Sequence, residues 1–342
     1  MSLTIEKNVF LAPYTTFGIG GRAEYFVTVH TADELVEAIT YAEDALLQVT
    51  ILGGGSNMLI SDSGIDGLVI HMMQEGITYT PHSDHTLVTA GAGVLLDLLI
   101  EDVIAHGLWG LENLTAIPGT VGATPIQNVG AYGVEVCDTI LSVYAYDRVQ
   151  KKCIELGNSE CRFGYRDSVF KHEGKDRYVI LAVTFRLRNS AQPQISYRDL
   201  ALRFGENQQP SLREIQTAVR EIRSTKFPDW SKLGTAGSFF KNPFIDSVHA
   251  EALSKKYPDI PLYKNDDGQF KVSLGWVLDH VLNLKGYREG HVGLYEKQAL
   301  VVVNFGGATC DEVYAFSDAI LKKIFDATGI TVEREVIVIQ KK

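Results

Sequence analysis

The stretch Pro118-Gly119-Thr120-Val121-Gly122-Ala123-Thr124-Pro125-Ile126-Gln127-Asn128-Val129-Gly130-Ala131-Tyr132-Gly133 is long for a mere turn, and glycine and other small residues dominate it. A chain carrying it must build its fold around an irregular backbone segment of that length. Small residues let such a backbone press against a flat ring, and Gln127 and Asn128 bring amides able to bond the ring's polar edge. A tight loop crossing between elements is the plainer alternative, and these residues alone leave both readings open.

A second glycine loop follows the apolar run Val49–Leu52, which has the composition of a strand. Its residues are Gly53-Gly54-Gly55-Ser56-Asn57. Successive glycines allow backbone N–H groups to turn toward an anion, so the loop suits a pyrophosphate; a structural hairpin turn is the other reading. The pattern is neither GxGxxG nor the phosphate loop that ends in Lys-Ser/Thr. Gly91-Ala92-Gly93 is a weaker cluster, as easily a simple turn.

The rest of the first half reads as short strands over 68–71, 86–90, Ile140–Asp147 and Tyr178–Arg188, interrupted by helical periodicity over 94–106 through Leu95, Leu98, Leu99 and Val103. Leu212, Ile215, Val219 and Ile222 mark one face of an amphipathic helix that leads to a second unit. There the pattern predicts a helix over 273–284, a strand over 299–304, a helix over 310–327 and a closing strand over 331–339, an α+β or α/β arrangement.

With 342 residues, 22% of them charged and 45% hydrophobic, the chain has the balance of a folded protein of two or three domains. Its net charge of −10, with no basic block, argues against binding to a nucleic-acid polymer. Cys137, Cys153, Cys161 and Cys310 are scattered, and the histidines form no H-E-x-x-H, so reduced thiols and no metal are expected. The first ten residues lack a signal-type apolar region, and no run approaches the ~20 apolar residues of a spanning helix, which makes the cytoplasm the expected location and a membrane an unexpected partner.

Three polar positions stand out. In Cys161-Arg162-Phe163-Gly164-Tyr165-Arg166-Asp167-Ser168-Val169-Phe170-Lys171, an arginine fork matches the two oxygens of a carboxylate, although a solvated basic surface fits equally. Ser238, in Ala236-Gly237-Ser238-Phe239-Phe240-Lys241-Asn242-Pro243, is able to give or take a proton, yet no G-x-S-x-G elbow surrounds it, and a turn or capping role is also open. Glu333 and Glu335 lie two apart on a β-rich stretch, facing one side of a strand, where a glutamate is either a site acid or an exposed charge.

These motifs occur in order over nearly the whole chain, together with Thr15-Thr16-Phe17-Gly18-Ile19-Gly20-Gly21 and Glu333-Arg334-Glu335-Val336. In that combination the chain resembles the UDP-N-acetylenolpyruvoylglucosamine reductase family, flavoenzymes that complete UDP-N-acetylmuramate. The resemblance implies an α+β protein: an FAD-binding fold of the p-cresol methylhydroxylase/vanillyl-alcohol oxidase type, not a Rossmann domain, plus a C-terminal α+β substrate-binding domain. On this basis 1–205 form the FAD-binding region, in subdomains of about 1–75 and 76–205, and 206–342 the substrate-binding domain, whose last strand returns to the active site. Non-covalent FAD is then held at its pyrophosphate by Gly53, Gly54, Gly55, Ser56 and Asn57, and further along by Pro118, Gly119, Gly122, Ala123, Gln127, Asn128, Gly130, Ala131 and Arg223. NADPH is the implied hydride donor, a UDP-sugar enol ether the substrate, peptidoglycan precursor synthesis the setting and a monomer the working form.

The same resemblance points to Arg166, Ser238 and Glu335 as catalytic. Hydride delivery to the vinyl carbon of an enolpyruvyl ether leaves carbanion character beside the carboxylate, which an enolate-like form relieves only if its charge is stabilised. Arg166 and a protonated Glu335 would supply that, and Ser238 the proton, with Lys241 or a water restoring it. Tyr132, Tyr165, Tyr197, Lys226, Asn242, Tyr263, Lys285 and Gln298 match the family's substrate side, where lysines suit a diphosphate. Tyr197 lies in Ile195-Ser196-Tyr197-Arg198-Asp199-Leu200, typical of the subtype with a mobile loop. One departure is Arg334, where many relatives carry proline, and it bears on the placing of Glu335. Two other readings remain at this point: an FAD oxidase or dehydrogenase of the same fold with covalently attached flavin, and a nucleotide-binding module without turnover.

Overall fold

The structure is a computed structural model that describes residues 3–205 and 208–340. The chain forms two compact units, each assembled from separate stretches. One comprises the residues up to Val9, Ala23–Gly55 and Asp66–Arg223; the other comprises Phe10–Arg22, Ser56–Ile65 and the residues from Ser224 onward.

The first unit holds two sheets. Strands Glu6–Phe10, Arg22–Val29, Ile65–Met72 and Val49–Leu52 lie side by side in that order, the last two parallel with Val49 opposite Leu68. Helix Ala32–Asp44 starts where the Thr31 hydroxyl accepts from the Glu34 N–H, and its buried stripe of Leu35, Ala38, Ile39 and Ala42 packs with Val27, Leu68 and Ile70 in one core. The second sheet is antiparallel, in the order Lys152–Gly157, Ile140–Asp147, Tyr178–Arg188, His85–Gly91 and Ile77–Pro81. Helix Leu96–Ala105 shares a core with this sheet through Leu96, Leu99, Ile100 and Val103.

Helix Leu212–Lys226 sets Leu212, Ile215, Ala218 and Val219 into that same core. The units therefore part at 223/224, not at 205/206, and residues 206 and 207 lie outside the described residues. The physical reason is the helix's apolar face, which is buried with the first unit.

The second unit is built on an antiparallel sheet of Gly234–Ser238, Gln298–Asn304, Val292–Tyr295 and Arg288–Glu289. Helix Cys310–Thr328 begins in a reciprocal cap between Thr309 and Glu312 and ends at Gly329, whose φ of 71° is left-handed. Its Val313, Phe316, Ile320 and Ile324 join Phe17, Phe239 and Phe240 in the core. The helix predicted over 273–284 is a short helix Leu274–Trp276 that continues as a π-helical turn Val277–Val281. The predicted strand over 331–339 narrows to Ile337–Ile339, parallel to Met58–Ile60, plus an isolated bridge from Arg334 to Phe240. The chain bends between them because the two ends of this segment pair with different neighbours. No helix of the described residues is long and apolar enough to cross a membrane.

Candidate active site

In the first unit the three glycine clusters meet. A Cβ placed on Gly53 would come within 2.8 Å of the Thr120 hydroxyl, and one on Gly54 within 3.0 Å of the Gly119 Cα, so the 53–55 loop lies backbone against backbone on 119–120. Gly122 packs in turn on the 91–93 turn: its N–H donates to the Ala92 carbonyl at 2.9 Å, and a Cβ there would sit 2.6 Å from the Ala92 Cβ. Leu96 N–H donates to Gly119 O at 3.0 Å, which anchors the crossing to the start of its helix, and Ala123 N–H closes a turn onto Thr120 O at 3.0 Å. Among the described residues the N–H groups of Gly54 and Gly55 donate to no protein acceptor, although Gly55 is buried. A buried backbone donor needs a partner, and an anion supplies one. These residues thus fit the FAD pyrophosphate.

Gly130–Ala131 and Val134–Glu135 form a hairpin whose tip is Tyr132 and Gly133, at φ of 50° and 85°. Positive φ at both central residues is what a tight, right-twisting hairpin demands. Asn128 and Arg166 are also left-handed, at 45° and 54°. Such conformations cost energy in residues other than glycine and persist where surrounding contacts enforce them, commonly at functional sites. The contacts here are specific. Asn128 donates from Nδ2 to Glu135 Oε2 at 2.7 Å and to Gly164 O at 3.0 Å, while its Oδ1 accepts from the Cys137 N–H at 3.1 Å. Both its amide hydrogens are therefore used inside the protein, which makes the Asn128 side chain an internal tie.

Arg166 sits at the tip of a turn closed by mutual bonds between Gly164 and Asp167 at 3.0 and 3.1 Å. Its Nη2 donates to Gly130 O at 2.8 Å, its carbonyl accepts from Lys171 Nζ at 3.0 Å, and its guanidinium lies 5.4 Å over the Tyr165 ring. The predicted arginine and the glycine hairpin are thereby one structure. Tyr132 packs edge to face against Tyr197 at 5.3 Å, and burial pushes its phenol up to about 12. Arg223, at the end of its helix, bonds the Tyr132 side chain and donates from Nε to Ala116 O at 3.2 Å; burial pulls its guanidinium below the ordinary value. Pro118 and Gln127 lie part-buried within the same segment.

In the second unit Ser238 ends the strand Gly234–Ser238, after an irregularity in the pairing at which Gly237 takes a φ of 77°. A bulge of this kind re-aims the residue that follows it. On one side the next residues run against the C-terminal segment: Glu335 N–H donates to Phe239 O and Lys241 N–H to Glu333 O, each at 2.9 Å. On the other side of that segment Ile337 N–H donates to Asn57 O at 3.0 Å, and Asn57 Nδ2 donates to the Glu335 carbonyl at 3.2 Å. Ser238, Glu335, Ser56 and Asn57 are thus carried by three adjoining backbone segments, although 278 residues separate Asn57 from Glu335. Lys241 reaches Glu333 at 3.8 Å.

The remaining positions come from separate elements of this unit. Asn242 Oδ1 accepts from the Leu274 N–H at 3.0 Å, and Gln298 Oε1 from the Leu300 N–H at 3.4 Å. Lys285 pairs with Asp279 at 2.8 Å, so its charge is partly offset. Tyr263 is 55% exposed on the strand Leu262–Lys264, and Lys226 closes the helix Leu212–Lys226. Sequence reasoning missed Asn113, which is buried and donates from Nδ2 to both Tyr132 O and Gln194 O at 2.8 Å, tying the Tyr132 hairpin to the segment that leads to Tyr197. Its sequence signal is slight, a polar pair between two leucines in Leu111-Glu112-Asn113-Leu114.

Residues 23–150 match the model of an FAD binding domain, and 229–339 that of the UDP-N-acetylenolpyruvoylglucosamine reductase C-terminal domain. Fold and site together define an FAD-dependent oxidoreductase, an FAD-binding α+β region followed by an α+β domain as expected. The chain is 42% identical to the UDP-N-acetylenolpyruvoylglucosamine reductase of Neisseria gonorrhoeae over 94% of its own length and 93% of that protein's. It is 42% identical to that of Cupriavidus pinatubonensis over 96% and 97%. The crystal structure of the Thermus caldophilus reductase matches with a TM-score of 0.70 at 25% identity, covering 99% of this chain and 100% of that one. The chain belongs to the UDP-N-acetylenolpyruvoylglucosamine reductase family.

Proposed function

We propose that this protein reduces UDP-N-acetylenolpyruvoylglucosamine to UDP-N-acetylmuramate for peptidoglycan synthesis, as a cytoplasmic monomer. Membership of the family over nearly the full length of both chains is the observation that carries this reading. FAD, when bound, would supply the hydride-transfer chemistry that links NADPH to the enol ether. The 53–55 and 118–131 backbones hold it, by the close glycine crossing and the N–H groups of Gly54 and Gly55.

The chain's own part in the chemistry is to manage charge and one proton. Arg166 offers a permanent cation to the carboxylate end of the substrate, where negative charge develops. Glu335, in its protonated form, donates a hydrogen bond to the same enolate. Ser238 Oγ gives the proton that completes the new C–H bond, and its placement just after the Gly237 bulge supports this role. Tyr132, Tyr165, Tyr197, Lys226, Asn242, Tyr263, Lys285 and Gln298 bind the sugar nucleotide, the lysines countering the diphosphate.

The reaction is read from NADPH absorbance in FAD-loaded protein: substrate-dependent decay is expected, and its absence overturns the reading. Ser238→Ala leaves flavin reduction by NADPH nearly intact and slows reoxidation by the enol ether by about 10²-fold or more. Equal loss in both halves refutes the proton role. Light scattering tests the monomer, and flavin that stays bound after denaturation would favour an oxidase of the same fold.

A further inference from the structure

Between the two glutamates of the C-terminal segment, Arg334 is drawn onto helix Cys310–Thr328. Its Nε donates to the Ser317 hydroxyl at 2.8 Å, its Nη2 pairs with the Asp318 carboxylate, and its guanidinium stacks 4.1 Å over the Tyr314 ring. Ser317 is fully buried and its own hydroxyl donates to the Tyr314 carbonyl at 2.8 Å, so the anchor is part of the helix's packing. The Arg334 side chain is only 16% exposed, unlike an ordinary surface ion pair. A lysine cannot copy this: a compact ammonium lacks the planar fork that bonds a hydroxyl and a carboxylate while stacking on a ring.

The same residue is the backbone bridge to Phe240, flanked by the bonds from Lys241 N–H to Glu333 O and from Glu335 N–H to Phe239 O. Successive side chains of an extended segment leave opposite faces. A clamp on residue 334 therefore settles the direction in which the backbone offers residue 335. Just beyond it the chain bends to reach Met58–Ile60, so the backbone bonds of residues 333–335 to the Phe239–Lys241 segment stand at the end of that pairing.

We infer that Arg334 is a positioning residue for Glu335, fixing through Ser317, Asp318 and Tyr314 the backbone from which that carboxyl meets the substrate; the inference rests on the role proposed for Glu335. Arg334 acts through the main chain and makes no contact with the reacting atoms. Displacements of about 1 Å in a catalytic group cost on the order of 10²-fold in rate, which sets the scale.

The test uses FAD-loaded full-length protein and follows the two halves of the turnover separately by stopped flow. In Arg334→Ala, flavin reduction by NADPH stays within about twofold of wild type, while reoxidation by the enolpyruvyl substrate slows about 10- to 100-fold. Arg334→Lys recovers part of that loss, and Ser317→Ala, which removes one bond of the clamp, slows reoxidation alone by about threefold or more. In a Glu335→Gln background the Arg334→Ala effect falls below about threefold, because the positioned group is already gone. Equal slowing of both halves, or effects of Arg334→Ala and Glu335→Gln that multiply fully, overturns the inference. Glu335→Gln reoxidising at the wild-type rate refutes instead the role given to Glu335. Should Arg334→Ala fail to hold flavin, Ser317→Ala decides by the same comparison.

Discussion

At Gly122 a single methyl group tests the glycine crossing. Its Cβ would stand 2.6 Å from the Ala92 Cβ and 3.1 Å from the Ala92 Cα and carbonyl, contacts that the backbone must move to relieve. Gly122→Ala is expected to lose about 1–3 kcal/mol of stability in urea unfolding, as overpacked cores do, and Gly122→Ala with Ala92→Gly to recover part of it. A second residue-scale prediction concerns Asp147, whose fully buried carboxylate takes the Arg177 guanidinium at 2.7 Å and the N–H groups of Val149 and Gln150 at 2.9 and 3.1 Å. The bond from Arg177 holds this carboxyl below its usual value of 3.8. A depressed folded-state value contributes stability above the unfolded-state value, lost as pH falls through the folded one. Wild type should therefore exceed Asp147→Asn in urea midpoint at neutral pH, with the gap closing only below pH 3.8. Asp147 closes a strand that was legible, but its partner Arg177 was not, because an ion pair between residues 30 apart leaves no periodic trace.

Elements were legible to the extent that one buried face repeats along them. Strands Ile140–Asp147 and Tyr178–Arg188 fall where the apolar runs place them, and the helix periodicity through Leu212, Ile215 and Val219 is realised in Leu212–Lys226. Which core that helix serves was not legible, since an apolar stripe specifies burial and not the partner. Ile215 is fully buried with Val103 and Leu187 in the first unit's cluster. Ile215→Ala should cost about 2–5 kcal/mol in the transition that unfolds this unit, read as a shift in urea midpoint by near-UV circular dichroism. A core lying with the second unit would instead leave that transition unmoved. The C-terminal strand shows the opposite limit: alternation from Val332 to Val338 looks like one strand, and the bend at 335–336 arises because its two ends pair with separate segments.

Across the whole molecule, cofactor binding should be visible as stability. A ligand that binds only the folded chain stabilises it by RT ln(1 + [L]/Kd), about 2.7 kcal/mol at a hundredfold excess over Kd. Titrating flavin-free protein with FAD should raise its melting temperature in step with concentration, whereas riboflavin, which lacks the pyrophosphate, should raise it far less. Equal shifts would count against the glycine-loop pyrophosphate site. From the amino-acid sequence alone came the glycine clusters, the buried faces of most elements and, through motif order, the family, because each is written in local residue spacing. Only the tertiary structure decided that 53–55, 91–93 and 118–122 meet, that Asn128 is an internal tie, that Asn57 adjoins Glu335 and that Arg334 is clamped to a helix. The long glycine stretch constrains the chain as strongly as its composition promised, yet what it packs against is set by contacts between residues far apart in sequence, and spacing does not encode those.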